Sequence, residues 1–303
     1  MGFIDLSGAL GRQFGSIGLA LNEIYTRISI TPSKQLSIVG DSTERAAKCV
    51  EFLLKKIDLP HSFQLEIETA IPEHVGLGSG TQMSLAVGMA VNAYFELNLS
   101  IREIAALTDR GKRSGIGIGV FEQGGLVVDG GRGQNTITPP VISHLDVPEH
   151  WCFILVFDQR GQGLHGNQEI NAFKALPGFP RREAEQLCYQ LMMQGLPAVA
   201  ERDIVRFGEV ITQLQKSVGE HFSPAQGGVF ASQEVDQAIR WLQAQGAVAI
   251  GQTSWGPTGF CAIDGVAIAE SLIKRAEQQF AQSENIHFVL TSARNKGGEA
   301  IVQ

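Results

Sequence analysis

The apolar residues of this chain recur with helical spacing in some segments and with strand spacing in others. Residues 43–57 carry apolar side chains every three or four positions, which predicts an amphipathic helix. Residues 62–71 alternate between apolar and polar side chains, as in a half-buried strand. A glycine-rich loop follows and leads into a second helical pattern over 83–95. Ser100 and Glu103 then have the spacing of a capping box, which predicts the start of another helix.

The second half of the chain continues this mixture of helices and strands. We predict helices over 181–194, 204–218, 234–245 and 266–280, and strands over 151–157, 248–250, 260–263 and 286–291. A further strand is predicted over 23–30, near the start of the chain. Interleaved helices and strands in both halves indicate an α+β protein. Two consecutive prolines, Pro139 and Pro140, suggest a boundary between two lobes, 1–145 and 146–303.

Composition and charge narrow the class of protein. The 303 residues are 44% hydrophobic and 18% charged, which is typical of a globular protein. The net charge of −7 lacks the basic footprint of a nucleic-acid-binding protein. We expect no membrane span, because no apolar run reaches 18 residues, and no signal peptide at 1–10. The four cysteines are far apart and include no C-x-x-C pair, so we expect reduced thiols and a cytoplasmic location.

The loop between the strand 62–71 and the next helix has the features of an anion site. Gly76, Gly78 and Gly80 let the backbone approach a ligand closely. The helix that follows offers free N–H groups and the positive end of its dipole, to which phosphate binds readily. Ser79 and Thr81 add hydroxyl groups that could donate to phosphate or help to hold a metal ion. The loop lacks the Lys-Ser or Lys-Thr pair of a Walker A sequence.

Two motifs resemble those of the GHMP kinase superfamily. PEHVGLGSGTQMSLA, which contains residues 76–81, is similar to the second motif of that family, whose loop wraps the phosphates of ATP. GQTSWGPTGFCAI, residues 251–263, resembles the third motif. The resemblance implies an α+β fold with two lobes. The N-terminal lobe is expected to be like domain 2 of ribosomal protein S5, and the C-terminal lobe to be ferredoxin-like.

Two positions depart from the kinase pattern. Gly117 stands where mevalonate-type kinases have their catalytic Asp, and Gly80 stands where the kinase loop has its second Ser. Both departures point away from ordinary phosphoryl transfer. An ATP-dependent small-molecule kinase that relies on positioning alone remains an alternative. A ligand-binding protein that keeps the loop but has lost the chemistry is a second alternative.

Three further segments resemble one branch of the superfamily, the β-ribofuranosylaminobenzene 5′-phosphate synthases. They are GFIDLSGALGRQFGSIGLAL, RGKRSGIGIGVFEQGGLVVDGG and FSPAQGGVF. The resemblance implies joining of phosphoribosyl pyrophosphate to 4-aminobenzoate or 4-hydroxybenzoate, with loss of CO2 and pyrophosphate and with Mg²⁺ as cofactor. It implies small-molecule substrates, no nucleic acid and no membrane, and by analogy a homodimer.

Candidate site residues follow from the chemistry that this resemblance implies. Asp5 and Glu122 are carboxylates in glycine-rich segments and are candidates to bind Mg²⁺ or to stabilise positive charge at the ribosyl carbon. Arg113 is the third catalytic candidate, because a guanidinium group suits phosphate and carboxylate. Ser79 and Thr81 are the candidates for a metal. The candidates for substrate binding are Arg12, Ser114, Gln226, Ser254 and Trp255, whose ring could stack on an aromatic acid.

Overall fold

The computed structural model describes residues 1–161, 172, 175–254 and 256–302. The strands are β1 (Gly2–Asp5), β2 (Phe14–Leu19), β3 (Arg27–Pro32), β4 (Ser37–Gly40), β5 (Phe63–Thr69), β6 (Leu126–Asp129), β7 (Val141–Leu145), β8 (Trp151–Asp158), β9 (Val248–Gln252), β10 (Gly259–Asp264) and β11 (Ile286–Ser292). The helices are α1 (Thr43–Lys56), α2 (Ser79–Tyr94), α3 (Ile101–Leu107), α4 (Ile116–Gln123), α5 (Arg181–Gln190), α6 (Leu196–Ala200), α7 (Ile204–Gln226), α8 (Gln233–Ala244) and α9 (Val266–Gln279). A π-helical turn, Leu191–Gly195, joins α5 to α6.

The described strands form three sheets. The first has the order β1-β2-β6-β7 and is antiparallel throughout. The second has the order β3-β5-β4, in which β4 runs parallel to β5. The third has the order β11-β8-β10-β9, so its strands lie in the chain order 4-1-3-2. With α8 before β9 and α9 before β11, this is the ferredoxin-like arrangement that the sequence predicted for the C-terminal half.

The largest hydrophobic cluster joins the first and third sheets. It contains Phe3 and Ile17 from the first sheet, Trp151 from the third, and Phe207 from α7, all at most 7% exposed. The rings of Trp151 and Phe207 lie 5.4 Å apart. A separate cluster packs α1 and α2 on the second sheet. The predicted lobe boundary between residues 145 and 146 falls between β7 and β8. It stays a prediction, because the largest hydrophobic cluster contains residues from both sides of it.

The capping box is confirmed. The Ser100 hydroxyl accepts a hydrogen bond from the Glu103 amide at 3.2 Å, and the Glu103 carboxylate accepts one from the Ser100 amide at 2.8 Å. Both orphan amides at the start of α3 are therefore satisfied. None of the described helices is both long enough and apolar enough to cross a membrane.

Some element ends differ from the predictions. The strand predicted over 23–30 is β3, Arg27–Pro32. The helix predicted over 204–218 is α7, which continues to Gln226. Its extension buries Phe222 to 4% exposure, and Pro224 lies in its last turn. The helix ends where Gly227 takes a left-handed conformation.

Residues 111–133, which are rich in glycine, contain α4 and β6, and the sequence analysis predicted neither element. The glycines allow close packing of the helix. A Cβ atom at Gly119 would lie 2.7 Å from Val127 Cγ1, and one at Gly18 of β2 would lie 2.1 Å from Ile116 Cγ2. Small residues therefore let α4 lie directly on the first sheet, which places the first turn of α4 next to α2.

Candidate functional site

A large cleft of about 1460 Å³ opens between the three sheets. The glycine-rich loop before α2 and the first turn of α4 border it, as do residues of β1, β2, β3 and β8. The segment after β11 also lines it. The cleft therefore collects residues from both halves of the sequence, as expected for a substrate site.

The loop before α2 presents its backbone to this cleft. Gly76 and Gly78 have left-handed φ values of +77° and +72°. A Cβ atom at Gly78 would meet no heavy atom within 4 Å, so open space faces this residue. The amides of Thr81 and Gln82 both donate to the Gly78 carbonyl, at 3.0 and 3.1 Å. The start of α2 is therefore a regular helical turn, and the anion site predicted there stays a prediction.

The two glycine-rich motifs touch each other, although 178 residues separate them. The Thr253 hydroxyl donates to the Val75 carbonyl at 2.8 Å. A Cβ atom at Gly76 would lie 2.3 Å from Thr253 Oγ1, and one at Gly256 would lie 2.4 Å from the Val75 carbonyl oxygen. Only glycine fits at this junction. The loop 76–81 is thereby braced by the C-terminal half.

The hydroxyls of Ser79 and Thr81 have different surroundings. Ser79 Oγ accepts a hydrogen bond from Arg45 Nη1 at 2.9 Å, and Arg45 also pairs with Glu73 at 2.9 Å. Thr81 lines the cleft, whereas Ser79 and Gly80 do not. Arg45 lies in α1, 34 residues before Ser79, so no local sequence pattern connected them. The assignment of Ser79 and Thr81 to a metal stays a prediction.

Gly117 lies directly against Thr81. A Cβ atom at Gly117 would lie 2.8 Å from Thr81 Cγ2 and 3.1 Å from Thr81 Cβ. The Gln82 side chain donates to the Gly117 carbonyl at 2.8 Å. The position at which kinases of this type carry their catalytic Asp therefore has no room for a side chain while Thr81 keeps its place.

Asp129, at the end of β6, is the buried centre of a hydrogen-bond network beside the cleft. It is 1% exposed and accepts hydrogen bonds from the Gly131 amide at 2.7 Å, the Gly115 amide at 2.9 Å and the Ser114 hydroxyl at 3.2 Å. It also accepts one from Ser16 Oγ, which lies 2.7 Å from Ser114 Oγ. Burial raises the pKa of Asp129, although these hydrogen bonds act to lower it. Ser114 and Ser16 both line the cleft.

The other charged candidates make contacts outside the cleft lining. Asp5 accepts hydrogen bonds from the amide and hydroxyl of Ser7, at 2.7 and 2.6 Å. Glu122 pairs with Arg102 at 3.2 Å. Arg12 donates to the backbone carbonyls of Gly130 and Gly131, at 3.0 and 2.9 Å, and so ties two loops together. Besides Ser79 and Gly80, the candidates that do not line the cleft are Asp5, Arg12, Arg113, Glu122 and Gln226.

The remaining candidates divide between the cleft and its surroundings. Ser254 lines the cleft beside the glycine loop. The Gln226 amide donates to the carbonyls of Gly228 and Val229, both at 2.9 Å, and its oxygen accepts from Gln252 at 3.0 Å. Trp255 lies outside the described residues. The functional roles assigned to these side chains stay predictions.

Sequence analysis missed the aromatic wall of the cleft. Phe3, Phe153, Phe222 and Phe260 line it from four different elements and are each at most 7% exposed. The rings of Phe3 and Phe222 meet edge to face, 6.3 Å apart. The spacing of these residues along the chain resembles that of ordinary core positions, so only the fold reveals the wall.

Sequence analysis also missed the segment after β11, residues 293–298, which contributes to the cleft lining and is called the strap below. The Arg294 amide donates to Ala20 at 2.9 Å, and the Arg294 carbonyl accepts from Gly125 at 2.7 Å. The Asn295 side chain makes two hydrogen bonds of 2.9 Å to the backbone of Val147. The strap therefore fixes Arg294 and Lys296 at the cleft, where Arg27 is the other cation among the described lining residues.

Comparisons with known proteins define the class first. Models of the GHMP kinases N terminal domain and of the GHMP kinases C terminal match residues 44–124 and 196–282. The homoserine kinase of Cytophaga hutchinsonii has the same fold, with a TM-score of 0.61 at 16% identity. The alignment covers 93% of this chain and 90% of that chain. The fold predicted from the two motifs is thus confirmed.

Curated relatives then narrow the class. The β-ribofuranosylphenol 5′-phosphate synthase of Archaeoglobus fulgidus is 33% identical over 98% of this chain and 95% of its own length. The protein of the same name from Methanocaldococcus jannaschii is 36% identical over 71% of this chain and 74% of its own length. The chain belongs to the GHMP kinase superfamily and, within it, to the family of these synthases.

Proposed function

We propose that this chain transfers the ribosyl 5′-phosphate group of phosphoribosyl pyrophosphate to 4-hydroxybenzoate or 4-aminobenzoate, with release of pyrophosphate and CO2. One observation carries the proposal. The loop 76–81 borders the cleft, and its residue Thr81 fills the space that a side chain at Gly117, the position of the kinase Asp, would need. The site keeps the means to hold a polyphosphate and has no side chain at the position of the kinase base. Membership of the synthase family supports the same reaction.

The bond changes balance without a redox partner. The bond between the ribosyl carbon and pyrophosphate breaks, and its electron pair leaves with the pyrophosphate. The ring carbon that bears the carboxylate supplies an electron pair to the ribosyl carbon. The bond to the carboxylate then breaks, CO2 leaves, and that electron pair restores the aromatic ring. The protein must hold the two substrates in line and stabilise the charges that develop.

The pyrophosphate group fits the loop around Gly78 because the backbone there faces open space at the start of α2. The 5′-phosphate fits the strap, where Arg294 and Lys296 reach the cleft. The aromatic acid fits the wall that includes Phe3 and Phe222. This arrangement separates the two anionic groups of the donor and leaves an apolar region for the acceptor.

Mg²⁺ fits as an ion that enters with the donor. The described residues include no cluster of three or more His, Cys, Asp or Glu side chains able to hold a metal. Mg²⁺ usually keeps several waters and binds through substrate phosphates with few protein ligands. Thr81 is the hydroxyl-bearing residue of the loop that lines the cleft, and we assign it to such an ion. When bound, the ion would neutralise charge on the leaving pyrophosphate.

The proposal is tested by release of labelled CO2 from carboxyl-labelled 4-hydroxybenzoate and 4-aminobenzoate, each with phosphoribosyl pyrophosphate and Mg²⁺. We expect release that requires both substrates, and the better acceptor follows from the two rates. A folded protein that releases CO2 from neither acid would contradict the proposal. The homodimer and the cytoplasmic location remain proposals, of which sedimentation tests the first.

A matched pair of variants tests the role of the loop. Gly78→Leu places a side chain in the open space at the start of α2, and we expect it to abolish binding of phosphoribosyl pyrophosphate. Gly246→Leu is the control, because Gly246 also has a positive φ, +100°, and a Cβ atom there would meet no heavy atom within 4 Å. Gly246 lies between α8 and β9, away from the loop. Equal binding of phosphoribosyl pyrophosphate by both variants would contradict the assignment of the pyrophosphate group to this loop.

A further inference from the structure

We propose that Ser114 and Ser16 form a hydroxyl pair that binds the 4-hydroxyl or 4-amino group of the aromatic acceptor, and that Asp129 is the positioning residue that orients the pair. The inference rests on the proposed function and assigns its acceptor subsite. Both serines line the cleft, and neither hydroxyl has a role in holding the donor phosphates as described above.

The sheet register places the hydroxyl pair beside the aromatic wall. Phe3 on β1 lies opposite Ser16 on β2, and Ser16 lies opposite Asp129 on β6. Residues directly opposite each other in antiparallel strands project their side chains from the same face. The ring of Phe3 is therefore a lateral neighbour of Ser16. An aromatic acid held against Phe3 and Phe222 has its edge at the hydroxyl pair.

The hydrogen-bond pattern makes the hydroxyl pair a hydrogen-bond acceptor for the substrate. An ionised carboxylate only accepts hydrogen bonds, and all four contacts of Asp129 come from donors. With Ser16 Oγ donating to Asp129, the single hydrogen of Ser114 Oγ points either to Asp129 or to Ser16 Oγ, 2.7 Å away, so both hydroxyl hydrogens stay within the network. Ser114 Oγ has two lone pairs, of which one accepts from the Ile116 amide at 3.2 Å. The remaining acceptor capacity suits a group that donates, and a phenol and an arylamine both do.

The location fits the order of the reacting groups. Ser114 immediately precedes the first turn of α4, in which Gly117 contacts Thr81 of the pyrophosphate loop. The loop and the hydroxyl pair therefore lie on either side of one helical turn. The donor and the acceptor can meet above that turn, with the leaving group at Thr81 and the 4-substituent at Ser114.

The reaction chemistry explains how a hydrogen-bond acceptor backed by the buried Asp129 carboxylate would assist catalysis. When the ring carbon attacks the ribosyl carbon, the ring becomes positively charged, and the 4-substituent shares that charge. Its O–H or N–H group then donates more strongly to Ser114, and the Asp129 carboxylate stabilises the charge through the hydroxyl pair. Loss of CO2 returns an electron pair to the ring and removes its positive charge. The 4-substituent therefore keeps its proton throughout the reaction.

The test compares acceptor turnover with inhibition by benzoate, which lacks the 4-substituent. In Ser114→Ala we expect kcat/KM for 4-hydroxybenzoate to fall on the order of tenfold or more, since one charge-assisted hydrogen bond is lost. A fall in kcat as well as a rise in KM is expected, because the bond strengthens in the transition state. The Ki of benzoate should stay within about twofold of its wild-type value, given that benzoate makes no such bond. Ser114→Thr keeps the hydroxyl and should recover most of the activity.

Ser217→Ala is the matched control, because Ser217 is a buried serine that donates to a carboxylate, Glu183, at 2.5 Å and is not part of the cleft lining. It should change neither constant. Equal weakening of 4-hydroxybenzoate and benzoate by Ser114→Ala, or an unchanged kcat/KM, would overturn the role of the hydroxyl pair while wild-type CO2 release left the proposed function standing. Absence of CO2 release from the wild-type protein would overturn both.

Discussion

At the scale of single residues, Thr81 and Gly117 separate this cleft from a kinase site. The methyl group of Thr81 occupies the space that a side chain at position 117 would need. Thr81 also lines the cleft, at the end of the loop 76–81. Thr81 thus excludes a side chain at the position of the kinase base, and under the proposed function its hydroxyl is a ligand for the donor. The two functions can be separated by removing the methyl group alone.

Gly117→Ala should destabilise the protein by up to about 2 kcal/mol. Overpacking against Thr81 costs roughly 1 to 3 kcal/mol, and the better helix propensity of alanine offsets about 1 kcal/mol of this. In a Thr81→Ser background the nearest contact is removed, so the cost of Gly117→Ala should shrink. Urea unfolding midpoints of the wild type, both single variants and the double variant measure this coupling. Additive midpoints would show that the two residues do not compete for space.

Residue type alone did not separate structural charges from functional ones. Arg12 was a candidate because guanidinium groups suit phosphate, yet it donates to two carbonyls of the loop after β6. Asp129 precedes two glycines, as a turn-shaping Asp does, and it does accept from the Gly131 amide. Its contacts with Ser16 and Ser114 span 113 and 15 residues, so they depend on strand register that no local pattern specifies.

At the scale of elements, periodicity predicted several helices and strands well, whereas the ferredoxin-like arrangement was implied by the family resemblance. Helices α1 and α9 and strands β5, β8 and β11 lie within about two residues of their predicted ends. Helix α4 was missed because its glycines weaken the helical signal, although they are what lets it pack on β2 and β6. The strap 293–298 was missed for a related reason, since its bonds go to Ala20, Gly125 and Val147 and leave no periodic pattern.

The contact between the two glycine-rich loops predicts that alanine substitutions at Gly76 and Gly78 differ in their cost to stability. Gly76→Ala and Gly78→Ala share the strain of a left-handed alanine, roughly 1 to 2 kcal/mol each. Gly76→Ala also drives its Cβ into Thr253, so it should cost about 1 to 3 kcal/mol more. Thermal and urea unfolding of the two variants give the comparison, with Gly78→Ala as the internal control. Equal stabilities would mean that the loop containing Thr253 shifts at little cost and does not brace the loop 76–81.

At the scale of the whole molecule, the cleft depends on both halves of the chain. The hydrophobic cluster containing Phe3, Trp151 and Phe207 is continuous across the predicted lobe boundary. The strap and the contact between Val75 and Thr253 add polar connections between the halves. A ligand that spans the cleft therefore contacts groups from both halves, and its binding should stabilise the molecule as a unit.

Thermal unfolding with candidate donors tests this expectation and identifies the donor. A ligand at 100 times its Kd stabilises the native state by about 2.7 kcal/mol. For a chain of this size that corresponds to a rise in Tm on the order of 5 °C. We expect such a rise with phosphoribosyl pyrophosphate and Mg²⁺, and a much smaller one with ATP and Mg²⁺, since ATP has no second, separate phosphate group to reach Arg294 and Lys296. Gly78→Leu should abolish the rise and Gly246→Leu should retain it. A rise with ATP alone would instead indicate that the cleft binds a nucleotide.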